Sequence, residues 1–328
     1  AYAGEDYEKV LIRCFLALSN LMQDGDDARA YALQVGDKQR QIIQAGKDKE
    51  SGVNPKLTYK KVALGAYINA AIQEATHINY DEAARSIQLV ANWEPEFPYA
   101  KQDLHRVTNG VHSKKGNGVL YVFTLVGKGP YKEERSEVPS SQALLIADRI
   151  VSATSKHSVP PTLAAIKVPV VVRSRNSITN VSVMINDDEF GGMTQTLTDI
   201  GRMAVDQYAA VFPSVMARAV VRRVTKKTAI YGIKAVTDVE NPLAELALDA
   251  VGSAWEATES ADTRCWGLLP DKIQVLRLEL PAGEHRIELT PVAGKRVIGK
   301  GVSHTLIVED GRNTYLMANF PGSKMIGQ

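Results

Sequence analysis

Residues 196–235 (TLTDIGRMAVDQYAAVFPSVMARAVVRRVTKKTAIYGIKA) constrain the fold more than any other stretch of the chain. Apolar residues lie around most of the circumference of a helix drawn through them, which is typical of a helix in the middle of a fold. Thr196 or Thr198 suits the N-cap, and Asp199 falls in the first turn, where the helix dipole favours an acid. Pro213 suits the first position of a second helix, because that position needs no N–H donor. We therefore predict two long, consecutive central helices.

The first 110 residues have the pattern of antiparallel helices. Seven residues recur at the three-and-four spacing of one helix face: Tyr7, Val10, Leu11, Cys14, Leu18, Leu21 and Met22. A second stripe follows a tight turn at Gly25, and a further pair of stripes follows an irregular linker over 44–55. A turn, an acid, a small residue and a later proline recur as in tetratricopeptide (TPR) hairpins. The sequence predicts a TPR-like helical domain over residues 1–110.

Strand patterns dominate the chain on either side of the central helices. A loop at 110–118 marks a domain boundary by its composition. The run Val119–Val126 is too apolar for a strand with one solvated face. Later strand patterns are separated by Pro281–Glu284 and Glu309–Arg312, both of which have the chemistry of turns.

These patterns predict a mixed α+β domain over residues 111–328. Its C-terminal part, 263–328, has the rhythm of a β-sandwich-like sheet, which we expect to include the strands before Thr196. The segment 196–258 is then a helical insertion, in which a last helix runs from Asn241 to about Trp255.

Composition and charge exclude several classes of protein. Apolar residues make up 45% and charged residues 23% of the 328 residues, as in ordinary globular proteins. No apolar run approaches the roughly 18 residues of a membrane span. The net charge of +2 hides a basic middle part: residues 111–238 carry 17 Lys and Arg against 10 Asp and Glu, net +7, between parts of net −2 (13 against 15) and −3 (9 against 12). Such an excess, without interleaved aromatic residues, is too small for a nucleic-acid-binding protein.

Cysteine usage and the first residue bear on the compartment. Cys14 lies on the apolar face of a predicted helix, so we expect a buried, inert thiol rather than a disulfide with Cys265. Two cysteines are compatible with both cytoplasm and periplasm. The chain begins with Ala1, which fits removal of a secretion signal and equally fits a trimmed chain.

Six stretches in combination carry a family resemblance: 7–44, Leu197–Asp199, Met216–Arg218, the basic run to Lys227, Thr263–Pro270 and Leu280–His285. The chain resembles an uncharacterised bacterial cell-envelope family with TPR-like N-terminal helices and a β-rich C-terminal half. Members follow a secretion or lipoprotein signal and are often encoded beside small envelope lipoproteins, some of the type that activates penicillin-binding proteins. The resemblance implies a periplasmic or outer-membrane-associated protein with other envelope proteins, small lipoproteins among them, as partners. It implies no catalytic residues.

The sequence contains no recognisable catalytic, metal-binding or cofactor-binding pattern. Its six histidines are scattered, without HExxH or CxxC spacing. The acidic run Asn186–Glu189 lacks the alternating oxygen ligands of a calcium loop, so a hairpin turn is favoured. Gly299–Gly301 is neither a P-loop nor a dinucleotide fingerprint, and no Gly-x-Ser-x-Gly elbow is present. We expect no enzyme activity, no metal and no cofactor.

Basic residues form two ridges on the second predicted central helix. At about 100° per residue, one arc of the helix contains Arg218, Arg222 and Lys226. This arc is either a solvated face or a binding surface for an acidic partner. Arg223 and Lys227 fall within the arc of the apolar stripe, either as its frayed end or with Arg223 buried and paired to a carboxylate. The candidate binding residues are therefore Arg218, Arg222 and Lys226.

Together these patterns predict a non-catalytic cell-envelope protein that acts as a protein–protein interaction module or scaffold. Stacked TPR-like hairpins would expose a groove, and the β-sandwich would give a second docking surface. A structural subunit of a larger envelope assembly or filament is the first alternative, and an unrecognised hydrolase is the second. Peripheral membrane association and homo-oligomers are both compatible with the sequence, whereas nucleic acid is not expected as a partner.

Overall fold

The computed structural model describes residues 2–23, 25–47, 53–154, 164–236 and 260–322, and it gives only the backbone course of 153–154 and 226–236. Helices and strands are both abundant, which confirms the mixed α+β class. The helix predicted from Asn241 to Trp255 lies outside the described residues. None of the described helices combines the length and apolar character of a membrane span.

Five helices come first along the chain: α1 (Asp6–Leu21), α2 (Ala28–Gln44), α3 (Leu64–Glu74), α4 (Tyr80–Trp93) and α5 (Ala100–Thr108). Each of them contacts the next, and a 3₁₀ helix at Pro55–Thr58 lies between α2 and α3. The apolar stripe predicted on α1 is confirmed, because Val10, Leu11 and Leu18 are buried. Cys14 is a free, buried thiol, as predicted.

The rest of the described chain consists of two helices and eleven strands. The helices are α6 (Ser141–Thr154) and α7 (Ile200–Val236). The strands are β1 (Asn117–Val126), β2 (Tyr131–Glu137), β3 (Ile166–Val172), β4 (Asn180–Ile185), β5 (Glu189–Met193), β6 (Gln195–Asp199), β7 (Lys272–Pro281), β8 (Gly283–Ala293), β9 (Arg296–Val297), β10 (Val302–Val308) and β11 (Asn313–Phe320).

These strands form three sheets, which we name the central, outer and small sheets. The central sheet has the order β11–β1–β7–β6. The outer sheet has the order β10–β8–β4–β5, with β9 paired to β8, and the small sheet is the pair β2–β3. In the central sheet β1 is parallel to β11 and antiparallel to β7, so β1 has a hydrogen-bonded neighbour on each side.

Strand β1 shows how the layers are arranged. Val119, Tyr121 and Phe123 are buried in one hydrophobic cluster with α1–α5 and the first turns of α7. Leu120 and Val122 belong to a second cluster with residues of the outer sheet. Since successive side chains of a strand point to opposite faces, the central sheet has helices on one face and the outer sheet on the other. The prediction that Val119–Val126 is covered on both faces is thereby confirmed.

The predicted turns are present, but two of them do not form hairpins. Ala282 separates β7 in the central sheet from β8 in the outer sheet, and Glu309–Arg312 likewise connect β10 to β11 across the sheets. Between β4 and β5, Asn186 and Asp187 adopt positive φ angles, which places a hairpin turn in the acidic run, as predicted. These polar residues tolerate the left-handed conformation better than most others.

Helix α7 differs from the two helices that the sequence predicts. Thr196 and Thr198, the expected caps, lie in β6, and the helix begins at Ile200, where Asp199 Oδ1 accepts the Arg202 N–H at 2.8 Å. One helix then continues through Pro213. A proline in a helix interior removes one hydrogen bond and costs about 3 kcal/mol. Packing on both sides of it outweighs that cost, because Ile200 and Ala204 are buried in the helical cluster and Met216 and Val220 against α6 and β3.

An ion network joins the helices to the central sheet. Glu74 of α3 is buried and pairs with Arg106 of α5 and with Arg277 of β7, whose Nε lies 3.2 Å from its Oε1. The Tyr121 hydroxyl donates to the same carboxylate at 2.6 Å, and Asp103 pairs with Arg106 at 2.9 Å. Two acids and two arginines balance one another, as buried charges must.

The domain boundary at 110–118 stays a prediction.

The strands before and after α7 pair with one another. Strand β6 lies beside β7, and β4 lies beside β8, so the sheets are built from segments on both sides of the helix. The prediction that the later sheet includes strands before the central helices is confirmed. Helix α7 contacts β7 of the central sheet and β3 of the small sheet.

Candidate functional site

A groove of about 430 Å³ lies along α7. One wall is a face of α7, and the opposite wall consists of residues 2–9 together with Lys56 and Tyr59. The small sheet contributes Lys132, Pro169 and Val171. Lengths of chain that are far apart in sequence therefore form one concave surface.

The face of α7 in the groove is a single stripe. It comprises Ala204, Gln207, Tyr208, Val211, Val215 and Arg218. Steps of three and four residues keep these positions on one side of a helix. From the first to the last position the stripe is about 21 Å long, at 1.5 Å per residue. The groove is therefore elongated, polar at Gln207 and Arg218, and apolar between them.

Residues 2–5 are held in the opposite wall by the N-terminus of α1. The buried Glu8 accepts the Glu5 N–H at 2.8 Å and the Tyr2 hydroxyl at 2.5 Å through Oε2. Its other oxygen accepts the Trp266 N–H at 2.7 Å. An acid in the first turn of a helix, which accepts the N-cap N–H, is one half of a capping box. The same interaction that starts α1 thus fixes this wall of the groove.

Gln207 is the most unusual residue of the groove. Its side chain is 5% exposed, and Oε1 is shielded from solvent and accepts no hydrogen bond from any described residue. Gln39, which is 2% exposed, shows the ordinary situation: its Nε2 donates to the Lys60 carbonyl at 2.6 Å and its Oε1 accepts the Val62 N–H at 3.0 Å. A buried polar atom without a partner costs about 1–3 kcal/mol, so such atoms are rare in native proteins.

Two further polar groups of the groove lack partners among the described residues. The Tyr7 hydroxyl makes no hydrogen bond, although Tyr7 is buried. Burial, and then the charges of Glu8 and Glu5, raise the pKa of Tyr7, so this hydroxyl stays protonated and can donate. The exposed guanidinium of Arg218 has no carboxylate within ion-pair distance in the described part of the chain.

The other charged groups of the groove form ion pairs. Lys132 pairs with Glu5, while Asp6 accepts Lys56 at 2.7 Å and lies 3.8 Å from Lys9. At the rim, Asp262 pairs with Arg264. Four basic and three acidic side chains line the groove, which leaves a net charge of +1. Arg218 is the lining cation without a counterion among the described residues, so the groove suits a ligand with a negative charge at that end.

The structure separates two of the three predicted binding residues. Arg218 lines the groove, whereas Arg222, also exposed, lies one turn further along α7 and is not part of the lining. The side chain of Lys226 lies outside the described part of α7. Arg223 is half-buried and donates to the carbonyls of Ala164 and Ala165 at 3.3 and 3.1 Å. The pairing of Arg223 with a carboxylate stays a prediction.

Sequence reasoning missed Gln207, Tyr7 and Tyr208. A glutamine in an otherwise apolar stripe is a signal that could have been read, because a buried amide needs a partner. The stripe itself was visible in the spacing from Ala204 to Arg218. The opposite wall was not visible in the sequence, because no local pattern indicates that residues 2–9 lie beside α7.

One serine–histidine contact bears on the hydrolase alternative. His112 Nδ1 lies 3.0 Å from Ser113 Oγ, and its Nε2 lies 2.8 Å from Asn313 Oδ1, which are the partners of a general base and its orienting group. The Ser113 hydroxyl, however, is also 3.0 Å from the Asn117 carbonyl and closes the turn that leads into β1. These contacts are explained by the turn. Among the described residues, no group of His, Cys, Asp and Glu could hold a metal ion.

Comparisons of the chain with known protein families, with curated proteins and with solved structures found no match.

Proposed function

We propose that this protein is a non-catalytic interaction module or scaffold that binds an extended, acidic segment of another protein in the groove along α7. The observation that supports it is a pair of groups on one face of one helix that lack partners among the described residues. They are the buried Gln207 amide, whose Oε1 accepts no hydrogen bond, and the Arg218 guanidinium, which has no counterion. Unpaired polar groups in a concave site are groups that a ligand can satisfy. An elongated groove suits a polypeptide better than a compact small molecule.

The TPR-like arrangement of α1–α5 is a further part of the proposal. Consecutive contacts from α1 through α5 support helical hairpins that stack side by side. Stacks of this kind expose extended concave surfaces for partners. The location in the cell envelope, with other envelope proteins as partners, rests on the family resemblance alone, and fractionation of cells of the source organism tests it.

The binding proposal is tested with a phage-displayed library of random dodecapeptides, selected on the purified full chain. We expect peptides whose binding is lost in Val215→Trp, which fills the groove, and is retained in Ala209→Trp. Ala209 is an exposed residue of the same helix outside the groove, so it is a matched control. Circular dichroism verifies that both variants fold.

Two results would contradict the proposal: no peptide enriched above background, or peptides that bind both variants equally. Sedimentation of the full chain without peptide addresses the alternative of a structural subunit, because a subunit would form a large assembly by itself.

A further inference from the structure

We infer that the groove recognises its ligand at two points: a main-chain peptide group at Gln207 and a carboxylate about five residues away at Arg218. This inference rests on the proposed function and specifies the chemistry of the partner. Both points lie on the stripe of α7 and both lack a partner in the described protein.

The first point follows from the chemistry of the Gln207 side chain. A primary amide carries both donors and acceptors, so it complements a peptide group, which also offers one of each. Ala204 and Val211 are its apolar neighbours on the stripe. A peptide group is present in every residue of a ligand, whatever its sequence. Gln207 therefore recognises an extended main chain rather than a particular side chain.

The second point follows from the charge of the groove. Lys132 pairs with Glu5, and Lys9 and Lys56 share Asp6. Arg218 differs from these lysines in having no carboxylate within ion-pair distance among the described residues. A guanidinium binds a carboxylate in a fixed fork geometry, which gives direction as well as affinity. The acidic residue of the ligand is thus placed at the Arg218 end.

The spacing between the two points follows from the helix. Gln207 and Arg218 are eleven positions apart, which is about 16 Å at 1.5 Å per residue. An extended chain advances about 3.3 Å per residue, so the same distance is covered by about five ligand residues. Between the points the stripe presents Val211 and Val215, so ligand side chains that face α7 there are apolar.

The test uses fluorescein-labelled versions of the peptides obtained by the display selection. A single glutamate is moved along each peptide, and each peptide bond in turn is replaced by an ester, which removes the N–H and weakens the carbonyl as an acceptor. Fluorescence anisotropy then measures Kd with the unchanged protein and with Arg218→Ala, Gln207→Leu and Arg202→Ala. Arg202 is an exposed arginine of α7 that pairs with Asp206 outside the groove, and it is the control for charge.

Arg218→Ala should weaken binding about tenfold or more, as expected for one charge-assisted hydrogen bond. The loss should disappear when the peptide glutamate is changed to glutamine, and Arg202→Ala should change Kd less than about twofold. One ester position, about five residues from the glutamate, should weaken binding to the unchanged protein but not to Gln207→Leu.

The alternatives give distinct results. Peptides that need an open groove but show no coupling to Arg218, no ester-sensitive position or another spacing would overturn this inference and leave the proposed function standing. Absence of any groove-dependent peptide would overturn both. A second copy of this chain as the occupant would appear as a concentration-dependent dimer that Val215→Trp abolishes, and it would overturn the two-point assignment to an acidic peptide.

Discussion

Replacing Gln207 by leucine should stabilise the fold, although Gln207 lies in the candidate binding site. Its shielded Oε1 accepts no hydrogen bond from the described protein. An unsatisfied buried acceptor costs about 1–3 kcal/mol, and leucine of similar size removes that cost while adding apolar contacts with the stripe. Part of the gain is offset because the amide also borders the groove. We expect the free energy of unfolding to rise by about 1–2 kcal/mol.

The same substitution at Gln39 should have the opposite sign. Gln39 is as deeply buried, but both ends of its amide are hydrogen-bonded, to the Lys60 carbonyl and the Val62 N–H. Gln39→Leu leaves the N–H of the buried Val62 without an acceptor, so we expect a loss of about 1–3 kcal/mol.

Urea denaturation followed by circular dichroism measures the stability of both variants against the unchanged protein. The comparison requires that the slope of unfolding free energy against urea concentration is the same in all three proteins. A loss of stability in Gln207→Leu comparable to that in Gln39→Leu would refute the reasoning. It would mean that the Gln207 amide is hydrogen-bonded within the folded protein, and that the groove offers a ligand no unpaired amide.

Three further predictions concern the fold. Leu18→Ala should lower the free energy of unfolding by about 2–5 kcal/mol, because Leu18 is fully buried. Leu16→Ala, at a side chain that is 42% exposed, should lower it by less than about 0.5 kcal/mol, and urea melts measure both variants. Glu74→Ala should cost about 3–5 kcal/mol because the mostly buried Arg277 loses its carboxylate partner, and Glu74→Gln should restore part of that loss in the same assay. Burial lowers the pKa of His112 from its ordinary value of 6.5, so the unfolded chain binds the proton first and stability should fall as pH drops below about 6.5. His112→Gln should flatten that dependence in urea melts at pH 5.5 to 7.5.

Local patterns predicted the elements of this fold where packing and periodicity agree. The stripe on α1 is buried as its spacing requires, and the apolar run of β1 lies between two layers. The turn at Asn186 follows from residues that tolerate positive φ angles. Each of these features depends on residues close in sequence, and such features are the ones that a sequence reveals.

Features that depend on distant contacts were not predictable in the same way. Pro213 indicated a break between two helices. The sequence contains no local signal that α6, β3 and the helical cluster hold α7 on both sides of this proline. The groove exists because residues 2–9 are fixed opposite α7 by Glu8. Of the predicted binding residues, Arg218 could be placed from its helical arc, but the arc could not show that the cation has no counterion among the described residues.

The central claim is that another protein occupies the groove along α7, and photo-cross-linking in cells of the source organism tests it most directly. Benzoylphenylalanine is introduced at Val215, inside the groove, and separately at Ala209, outside it on the same helix. The account predicts that Val215 captures one protein through a segment that contains an acidic residue, that Ala209 does not capture it, and that a groove-binding peptide prevents the capture. Equal capture at both positions, or capture at Val215 that the peptide leaves unchanged, would contradict the account.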